Sequence, residues 1–341
     1  MASHRRPKQP SRARVSVLTA AAATAVALSA QTGAWADPKP SKEDVKAQID
    51  DLNGQQEAAT EKYNGEKERG DQLRQQASQL QDQVARTQQQ VTELQSGLAA
   101  VAGDQYRNGG IDSSVQMMLN SNPQQYLDQA ASMQVATSTQ TDALKSLQSE
   151  QRKLDQEKKE AADTLAELDR STQALNAAKA DVQAKLAAAQ KLLSSLSAAD
   201  QAALRAADRA SRSDVRAPLN LPPASGYAGA AVQAALSKLG HAYQWGASGA
   251  TYFDCSGLTQ WAYGQAGVSL PRTTYEQVSV GTRVPSLAQA EPGDLIFYGG
   301  DLHHVSMYIG NGQAVHAPHT GDVIRIADAA SIGSINTIRR P

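Results

Sequence analysis

The sequence predicts a long antiparallel α-helical coiled-coil hairpin, followed by a small α+β domain with an antiparallel sheet. Two observations predict this division. Apolar residues in most of 37–210 recur about every 3.5 positions, the period of a coiled-coil seam. Aromatic residues and glycines concentrate later, since 226–341 holds 11 of the 15 Phe, Trp and Tyr and 16 of the 24 Gly. A compact, turn-rich core is therefore expected in the last third of the chain.

The charge balance argues against a nucleic-acid-binding protein. The 341 residues carry 33 Lys and Arg against 34 Asp and Glu, for a net charge of −1. Binding to nucleic acid through a basic surface requires a clear excess of positive charge. We therefore expect no nucleic-acid partner.

Residues 1–36 have the composition of a secretory signal peptide. Five basic side chains precede an uncharged run over 15–30, and Ala34-Trp35-Ala36 then offers a small-residue cleavage site before Asp37. This order is typical of exported proteins. The alternative is an uncleaved membrane anchor, but the uncharged run is shorter than the roughly 20 residues that span a bilayer. We expect a secreted protein.

Residues 37–210 are predicted to form the hairpin. Alternating steps of four and three from Val45 to Val101 land on 13 apolar residues among 17, and those from Met133 to Leu196 on 13 among 19. Two such seams of similar length indicate two antiparallel arms. Turn residues predict a small tip around 103–126, and prolines predict a linker over 211–225. A passive spacer or dimer stalk remains an alternative to a regulatory arm.

Residues 226–341 are predicted to form the α+β domain. An apolar helix over 228–239 comes first, and short β-type runs separated by turn residues follow. Helices first and consecutive strands afterwards favour a small, mostly antiparallel sheet. The predicted strands are 295–298, 305–309, 313–315, 323–326 and 335–338.

The single cysteine is the first candidate for chemistry. Cys255 follows a Gly-rich stretch and begins a helical apolar period. At a helix N-terminus, free N–H groups and the helix dipole lower a thiol pKa and favour the thiolate. A buried, inert cysteine is the alternative, although an exported protein tends to keep a free thiol for its reactivity. Four of the six histidines lie within 303–319, and histidine is the usual activating base for such a thiol.

The choice of base depends on a predicted hairpin over 304–316. A three-residue loop would place Ser306 opposite His316, with His304 on the same face. A two-residue Asn-Gly turn would reverse this and put His316 on the face of His303. The spacing alone leaves both histidines open as the base.

Five motifs in order resemble the NlpC/p60 family of papain-like cell-wall cysteine peptidases. The resemblance covers about 115 residues, a third of the chain, and implies the papain-like α+β fold. It implies that Cys255 is the nucleophile, His304 the base and His316 the residue that orients the base. It also implies that Tyr243, Asp254 and Ser256 contact substrate. The motifs are 242–246 (Ala-Tyr-Gln-Trp-Gly), 253–258 (Phe-Asp-Cys-Ser-Gly-Leu), 270–272 (Leu-Pro-Arg), 292–295 (Pro-Gly-Asp-Leu) and 304–310, which begins His-Val and ends Tyr-Ile-Gly.

The resemblance further implies a function in the bacterial cell wall. Members cleave the peptidoglycan stem peptide, typically between D-glutamate or its amide and the diamino acid that follows. A helical hairpin before such a domain resembles division- or growth-associated hydrolases, in which a membrane transporter-like complex acts on the arm to relieve self-inhibition. No cofactor is expected.

Two other functions are alternatives. A zinc peptidase could use the His cluster, but the sequence has no His-Glu-x-x-His motif, and the adjacent His303 and His304 on a strand cannot both face one ion. A non-catalytic activator or scaffold of other cell-wall hydrolases is the second alternative. Arg272, Arg283 and Asp301 are interpreted as solvated surface charges rather than substrate ligands.

Overall fold

The structure is a computed structural model that describes residues 41–107, 115, 123–213 and 226–341. The predicted signal peptide lies outside the described residues, as do most of the predicted tip and residues 214–225 of the predicted linker. Within the described ranges, no helix combines the length and apolar character needed to cross a membrane. The described residues from Ser41 onward belong to one structural unit.

Two very long helices precede the sheet domain. Helix α1 spans Lys42–Arg107 and helix α2 spans Pro123–Ser195, and a shorter α3 spans Ala198–Ser213. Both long helices extend into the predicted tip at 103–126, and α3 extends into the predicted linker.

The long helices run antiparallel. Side-chain contacts pair Gln55 with Lys185 and Arg69 with Glu167. Residue numbers that increase along α1 are therefore paired with residue numbers that decrease along α2. The predicted helical hairpin is confirmed.

The predicted seam is correct on α1 and partly wrong on α2. Its α1 positions are buried or half-buried except Val101. On α2, Leu144 and Leu165 were predicted in the seam but are 50% and 46% exposed, whereas Thr164 and Ser171 are buried. The Ser171 hydroxyl donates to the Glu66 carboxylate across the interface. Near this polar contact the buried positions, Thr164 and Ser171, precede the predicted positions Leu165 and Thr172 by one residue.

The C-terminal domain is an α+β fold, as predicted. Its helices are α4 (Gly226–Leu236), α5 (Cys255–Gln265) and the one-turn α6 (Thr274–Gln277). All five predicted strands are present, with bounds shifted by up to two residues. Three short strands were not predicted: β1 and β2, which form a small hairpin, and the edge strand β3. The strands are β1 (Ser248–Gly249), β2 (Tyr252–Phe253), β3 (Thr282–Val284), β4 (Leu295–Tyr298), β5 (His304–Gly310), β6 (Gln313–His316), β7 (Arg325–Asp328) and β8 (Ile335–Arg340).

The main sheet has the antiparallel order β3-β8-β4-β5-β6-β7. One face packs against α5, where Leu258 and Ala262 meet Val305 and Met307 in the main apolar core. Because β5 is central and fully buried, the start of this strand and the first turn of α5 are held by the same core.

The β5–β6 hairpin combines both predicted alternatives. Its turn has two residues, Asn311 and Gly312, with φ of 55° and 75°, as a type I′ turn requires. The register then shifts between Tyr308 and Gly310. Because this bulge adds one residue, Met307 pairs with Val315, and the continued register places Ser306 opposite His316. The hairpin therefore has the two-residue Asn-Gly turn of one alternative and the strand register that the other alternative derived from a three-residue loop.

We predict that Gly257→Ala destabilises the domain. A Cβ at this position would lie 2.2 Å from the Ala247 carbonyl oxygen and 2.8 Å from the Ser248 Cα, so the backbone must shift. We expect a loss of about 3 kcal/mol or more in unfolding free energy, measured by urea titration. Gly264→Ala is the matched control on the same helix, where an added Cβ meets nothing within 4 Å. The control should gain up to about 1 kcal/mol, and equal effects of the two changes would contradict the prediction.

Candidate active site

The first turn of α5 holds the cysteine in a fixed position. Cys255 is the first residue of the helix, and the side chain of the N-cap residue Asp254 accepts a 2.7 Å hydrogen bond from the Gly257 N–H. The Cys255 Sγ donates a weak hydrogen bond to the carbonyl oxygen of His303 at 3.9 Å. Because His303 directly precedes β5, the thiol lies against the start of this strand.

Two buried imidazoles are in contact beside this thiol. The His304 Nε2 lies 3.0 Å from the His316 Nδ1, and each residue is 4% exposed. Burial, followed by the positive charges of neighbouring side chains, holds the pKa of His316 well below its usual value. A neutral His316 can accept a hydrogen bond from the Nε2–H of His304, so that the remaining ring nitrogen of His304, Nδ1, is the one that can face another partner. The structure thus pairs His304 with His316 and places the Cys255 sulfur against His303, the residue that precedes His304.

Asp254 connects several parts of the site. Arg272 binds both of its carboxylate oxygens at 2.6 and 3.0 Å, and the Gly246 N–H donates to it at 3.0 Å. The expectation that Arg272 is a solvated surface charge is wrong, because its side chain is only 9% exposed. Arg283 and Asp301 are exposed, as expected.

The three predicted substrate-contacting residues line the same site. Tyr243 is 5% exposed, and its hydroxyl has no hydrogen-bond partner among the described residues. Burial and then the proximity of Cys255 raise the pKa of Tyr243 well above its usual value. Ser256 accepts a hydrogen bond from Arg272 at 2.9 Å. Asp254 is held mainly by protein partners.

Helix α1 closes this site with a carboxylate that the sequence analysis missed. The Glu61 Oε1 accepts a 2.7 Å hydrogen bond from the Ser256 hydroxyl and lies 3.7 Å from the Cys255 Sγ. The Glu61 Oε2 accepts a 2.8 Å hydrogen bond from the Thr274 N–H. Glu61 is fully buried. The arm therefore fills the space directly in front of the thiol.

Other residues on the same face of α1 extend the contact. The Glu57 Oε2 lies 3.0 Å from the His304 Nδ1, within ion-pair distance but without the alignment of a hydrogen bond. The Asn64 amide donates to Asp254 at 3.1 Å, and the Tyr63 ring meets Trp245 edge to face at 5.0 Å. The only sequence signal for this surface is the polar character of residues 56, 57, 60, 61 and 64 on one helical face.

The docked arm alters the predicted chemistry of the thiol. The helix N-terminus was expected to favour the thiolate, but the structure raises the pKa of Cys255 well above its usual value. Burial is the main cause, followed by the negative charges of Glu61, Asp254 and Glu57. The prediction of a thiolate is therefore wrong for this closed state, because three carboxylates and the loss of solvent outweigh the helix dipole.

His303 is directed away from the thiol site. It pairs with Asp301 at the surface, and Gly54 of α1 lies over its ring. A cavity of about 710 Å³ continues from this point between the start of α1 and the sheet, and its lining includes His304, His316 and His319. The described residues contain no group of three or more His, Cys, Asp or Glu side chains arranged to hold a metal ion.

Comparison with known proteins assigns the domain that carries this geometry. Residues 240–337 match the model of the NlpC/P60 family. The C-terminal domain is an NlpC/P60 domain. The matched residues include Cys255, His304 and His316 and exclude the helical hairpin.

Curated relatives match the same part of the chain. A "Probable endopeptidase p60" of Listeria monocytogenes is 49% identical over 89 residues, which are 26% of this chain and 18% of the relative. A "Probable endopeptidase" of Corynebacterium glutamicum is 44% identical over 95 residues, 28% of this chain and 45% of the relative. The chain thus spans less than half the length of each of these relatives.

Solved structures also match over about a third of the chain. NlpC2 from Trichomonas vaginalis has 35% identity and a TM-score of 0.33, and the match covers 35% of this chain and 48% of that protein. The peptidoglycan hydrolase RipB from Mycobacterium tuberculosis has 31% identity and a TM-score of 0.31, with 33% of this chain and 64% of that protein covered.

We predict that docking of α1 weakens as pH rises from 4.5 to about 7. Burial and then Asp254 raise the pKa of Glu61 from 4.5 to about 7, against the smaller opposing effects of Ser256, Thr274 and Arg272. The docked state holds the Glu61 proton more tightly than the undocked state. Protonation of Glu61 therefore stabilises docking fully below pH 4.5, and this stabilisation is lost as pH rises to about 7. A shift of this size corresponds to roughly 3 kcal/mol.

The measurement is the rate of Cys255 alkylation in the wild type divided by that in Glu61→Gln at each pH. The ratio isolates the pH dependence that comes from position 61, because the variant has no titratable group there. It should rise between pH 4.5 and 7 and then become level. A ratio that is constant over this range would contradict the prediction.

Proposed function

We propose that this protein is a secreted cysteine-type endopeptidase that cleaves the peptidoglycan stem peptide between D-glutamate and the diamino acid. The observation that carries the proposal is the convergence of Cys255 Sγ with the start of β5, where His304 contacts His316 at 3.0 Å. The NlpC/P60 domain and the relatives named as endopeptidases support it.

In the proposed reaction, the Cys255 Sγ attacks the scissile carbonyl carbon after its proton passes to His304. The protonated imidazole then gives a proton to the leaving amine, and a thioester remains on the enzyme. Water, activated by the same imidazole, hydrolyses the thioester to a carboxylic acid and restores the thiol. Each step requires the His304 Nδ1 to face the sulfur.

His316 would orient the base rather than react itself. It is buried and its pKa is low, so it remains neutral and can accept from the Nε2–H of His304. That hydrogen bond grows stronger when His304 becomes an imidazolium in the reaction. The contact therefore both fixes the ring and stabilises its charged form.

Tyr243, Asp254 and Ser256 are proposed to bind substrate. The unpartnered Tyr243 hydroxyl is a candidate donor to the oxygen of the scissile carbonyl, since it is buried and close to the sulfur. The Ser256 hydroxyl would bind a substrate acceptor where it now binds Glu61. Asp254 would act mainly by holding the loop that contains Gly246.

Self-inhibition by the arm is part of the proposal. Cys255 is 2% exposed with α1 docked, so a stem peptide reaches the sulfur only after the arm leaves. Buried polar groups form much of the contact, including Glu57, Glu61 and Asn64. Such groups are readily solvated again on release, which favours a reversible contact.

A partner that acts on the hairpin would release the arm. We propose a membrane transporter-like regulator, and the distal half of the hairpin offers a surface for it. A cavity of about 620 Å³ there is lined by Leu94, Leu98 and Val101, among others, and Tyr106 is 89% exposed nearby along α1.

We predict that Cys255→Ala abolishes hydrolysis of purified peptidoglycan while the fold is retained. Loss of the nucleophile should lower the rate by about three orders of magnitude or more, measured by mass spectrometry of the released fragments. The fragments also identify the bond. Near-wild-type release by the variant would exclude thiol catalysis, and no release by any form of the chain would favour a non-catalytic activator.

We also predict that the double change Glu57→Ala and Glu61→Ala increases hydrolysis by the full chain by about tenfold. The change removes the acceptor of the Thr274 N–H and leaves the Ser256 hydroxyl only its 3.3 Å contact with Asp254, which destabilises docking by about 1–3 kcal/mol. Glu68→Ala is the matched control, because this carboxylate lies on the same helix but is exposed. Equal rates for the wild type and the double variant would contradict inhibition by the arm.

A further inference from the structure

The carboxyl group of Glu61 occupies the position nearest to the reacting sulfur. Its Oε1 lies 3.7 Å from the Cys255 Sγ, and its two oxygens accept hydrogen bonds from the Ser256 hydroxyl and the Thr274 N–H. A reacting carbonyl must lie about 3–3.5 Å from the nucleophile. The buried carboxyl group is therefore close to the place that the scissile group would take.

The acid product of hydrolysis can be compared with the Glu61 side chain at this position. When a cysteine peptidase hydrolyses an amide, the acyl part of the substrate leaves as a carboxylate whose carbon was bonded to the sulfur. In the stem peptide, D-glutamate is joined to the diamino acid through its γ-carboxyl group. The product would then end in two methylene groups and a carboxylate, which is also the side chain of glutamate.

The hydrogen bonds favour an acid over an amide at this place. The Thr274 N–H is a donor only, and it faces Glu61 Oε2 at 2.8 Å. The Ser256 hydroxyl donates to Oε1 while it accepts from Arg272. A primary amide has only one acceptor atom, so it could accept from only one of these two donors, and the Ser256 hydroxyl would then keep only its longer 3.3 Å contact with Asp254 Oδ1.

The surrounding charges limit how tightly such a carboxylate is held. Arg272 is the nearest cation, but Asp254 already binds it through both oxygens. Glu57 adds a further carboxyl group on the same face of the arm. The site thus recognises the shape and acceptors of a carboxylate without an unpaired positive charge, so that an arm or a product can leave.

From this geometry we propose that Glu61 docks as a mimic of the γ-glutamyl acid product, and that peptides which end in this acid compete with the arm for the cleft. The proposal rests on the proposed function, because it takes the acyl product to be a D-glutamate γ-carboxylate. It makes the arm and the product mutually exclusive occupants of one site.

The test is a calorimetric binding titration with two dipeptides. L-alanyl-D-glutamate carries the γ-carboxylate, and L-alanyl-D-glutamine carries an amide in its place. With Glu61→Ala in the full chain, the acid should bind about tenfold more tightly than the amide, since the amide forms one hydrogen bond fewer with these donors and a bond to a charged acceptor is among the stronger ones. Equal affinities, or no binding of the acid to this variant, would overturn the proposal.

Competition with the arm is tested by the matched control Glu68→Ala. This chain keeps Glu61, so the acid must displace the docked arm, and its apparent affinity should be at least about tenfold weaker than in Glu61→Ala. Glu61→Asp is a second test variant, because its shorter carboxylate cannot reach both donors. It should resemble Glu61→Ala, and affinities that do not differ between the control and both test variants would overturn the proposal.

Hydrolysis of defined stem peptides by the same variants separates this inference from the proposed function. Cleavage at the glutamyl bond with equal binding of acid and amide would overturn the mimicry alone. Cleavage at a different bond, or none, would overturn the proposed function, while the calorimetric result would still decide whether the site prefers the acid.

Discussion

The ion pair between Asp254 and Arg272 is the interaction on which the rest of the site depends. Asp254 caps α5 and thereby fixes the first turn, where Cys255 lies. It also binds the Gly246 N–H and the Asn64 amide. Because the pair is buried, removal of either partner would leave an uncompensated charge, which costs about 3–5 kcal/mol. One carboxylate thus joins the helix that carries the nucleophile, the loop beside it and the docked arm.

The contact between the arm and the domain differs in kind from the core of the domain. Behind the thiol, Leu258 and Val305 pack in an apolar interior. In front of it, Glu57 and Glu61 face Ser256 and His304. An apolar interface is stabilised by exclusion of water at any pH. The stability of an interface with buried carboxyl groups changes when those groups gain or lose protons. The arm is therefore attached by the kind of interaction that conditions can change.

The sequence allowed the main elements to be predicted because each has a local signal. The α1 seam follows from hydrophobic period, and the N-terminal position of Cys255 follows from the transition between a Gly-rich stretch and a helical pattern. Register on α2 could not be predicted, because the hydrogen bond between Ser171 and Glu66 lies across two helices 105 residues apart in sequence. The bulge in the β5–β6 hairpin was also missed, since the Asn-Gly turn specifies the loop and not the strand beyond it.

The contribution of Glu61 could not be predicted for a related reason. A glutamate on a long solvated helix looks like its many neighbours, and only the packing of α1 on the domain gives it a partner 195 residues away in Ser256. Conversely, Arg272 looked like a surface charge because an isolated arginine usually is one. Both were misjudged because the burial of a charged side chain depends on a partner from a distant part of the chain.

Access to the sulfur and its ionisation are linked by the same residues. With α1 docked, Glu57 and Glu61 exclude solvent from Cys255 and also raise its pKa, so the closed state has a thiol that is both covered and protonated. Departure of the arm would remove two of the three carboxylates and readmit water. The pKa of the thiol would then fall towards the value that the N-terminus of α5 favours. A single movement of one helix would therefore expose the nucleophile and also make its proton easier for His304 to remove.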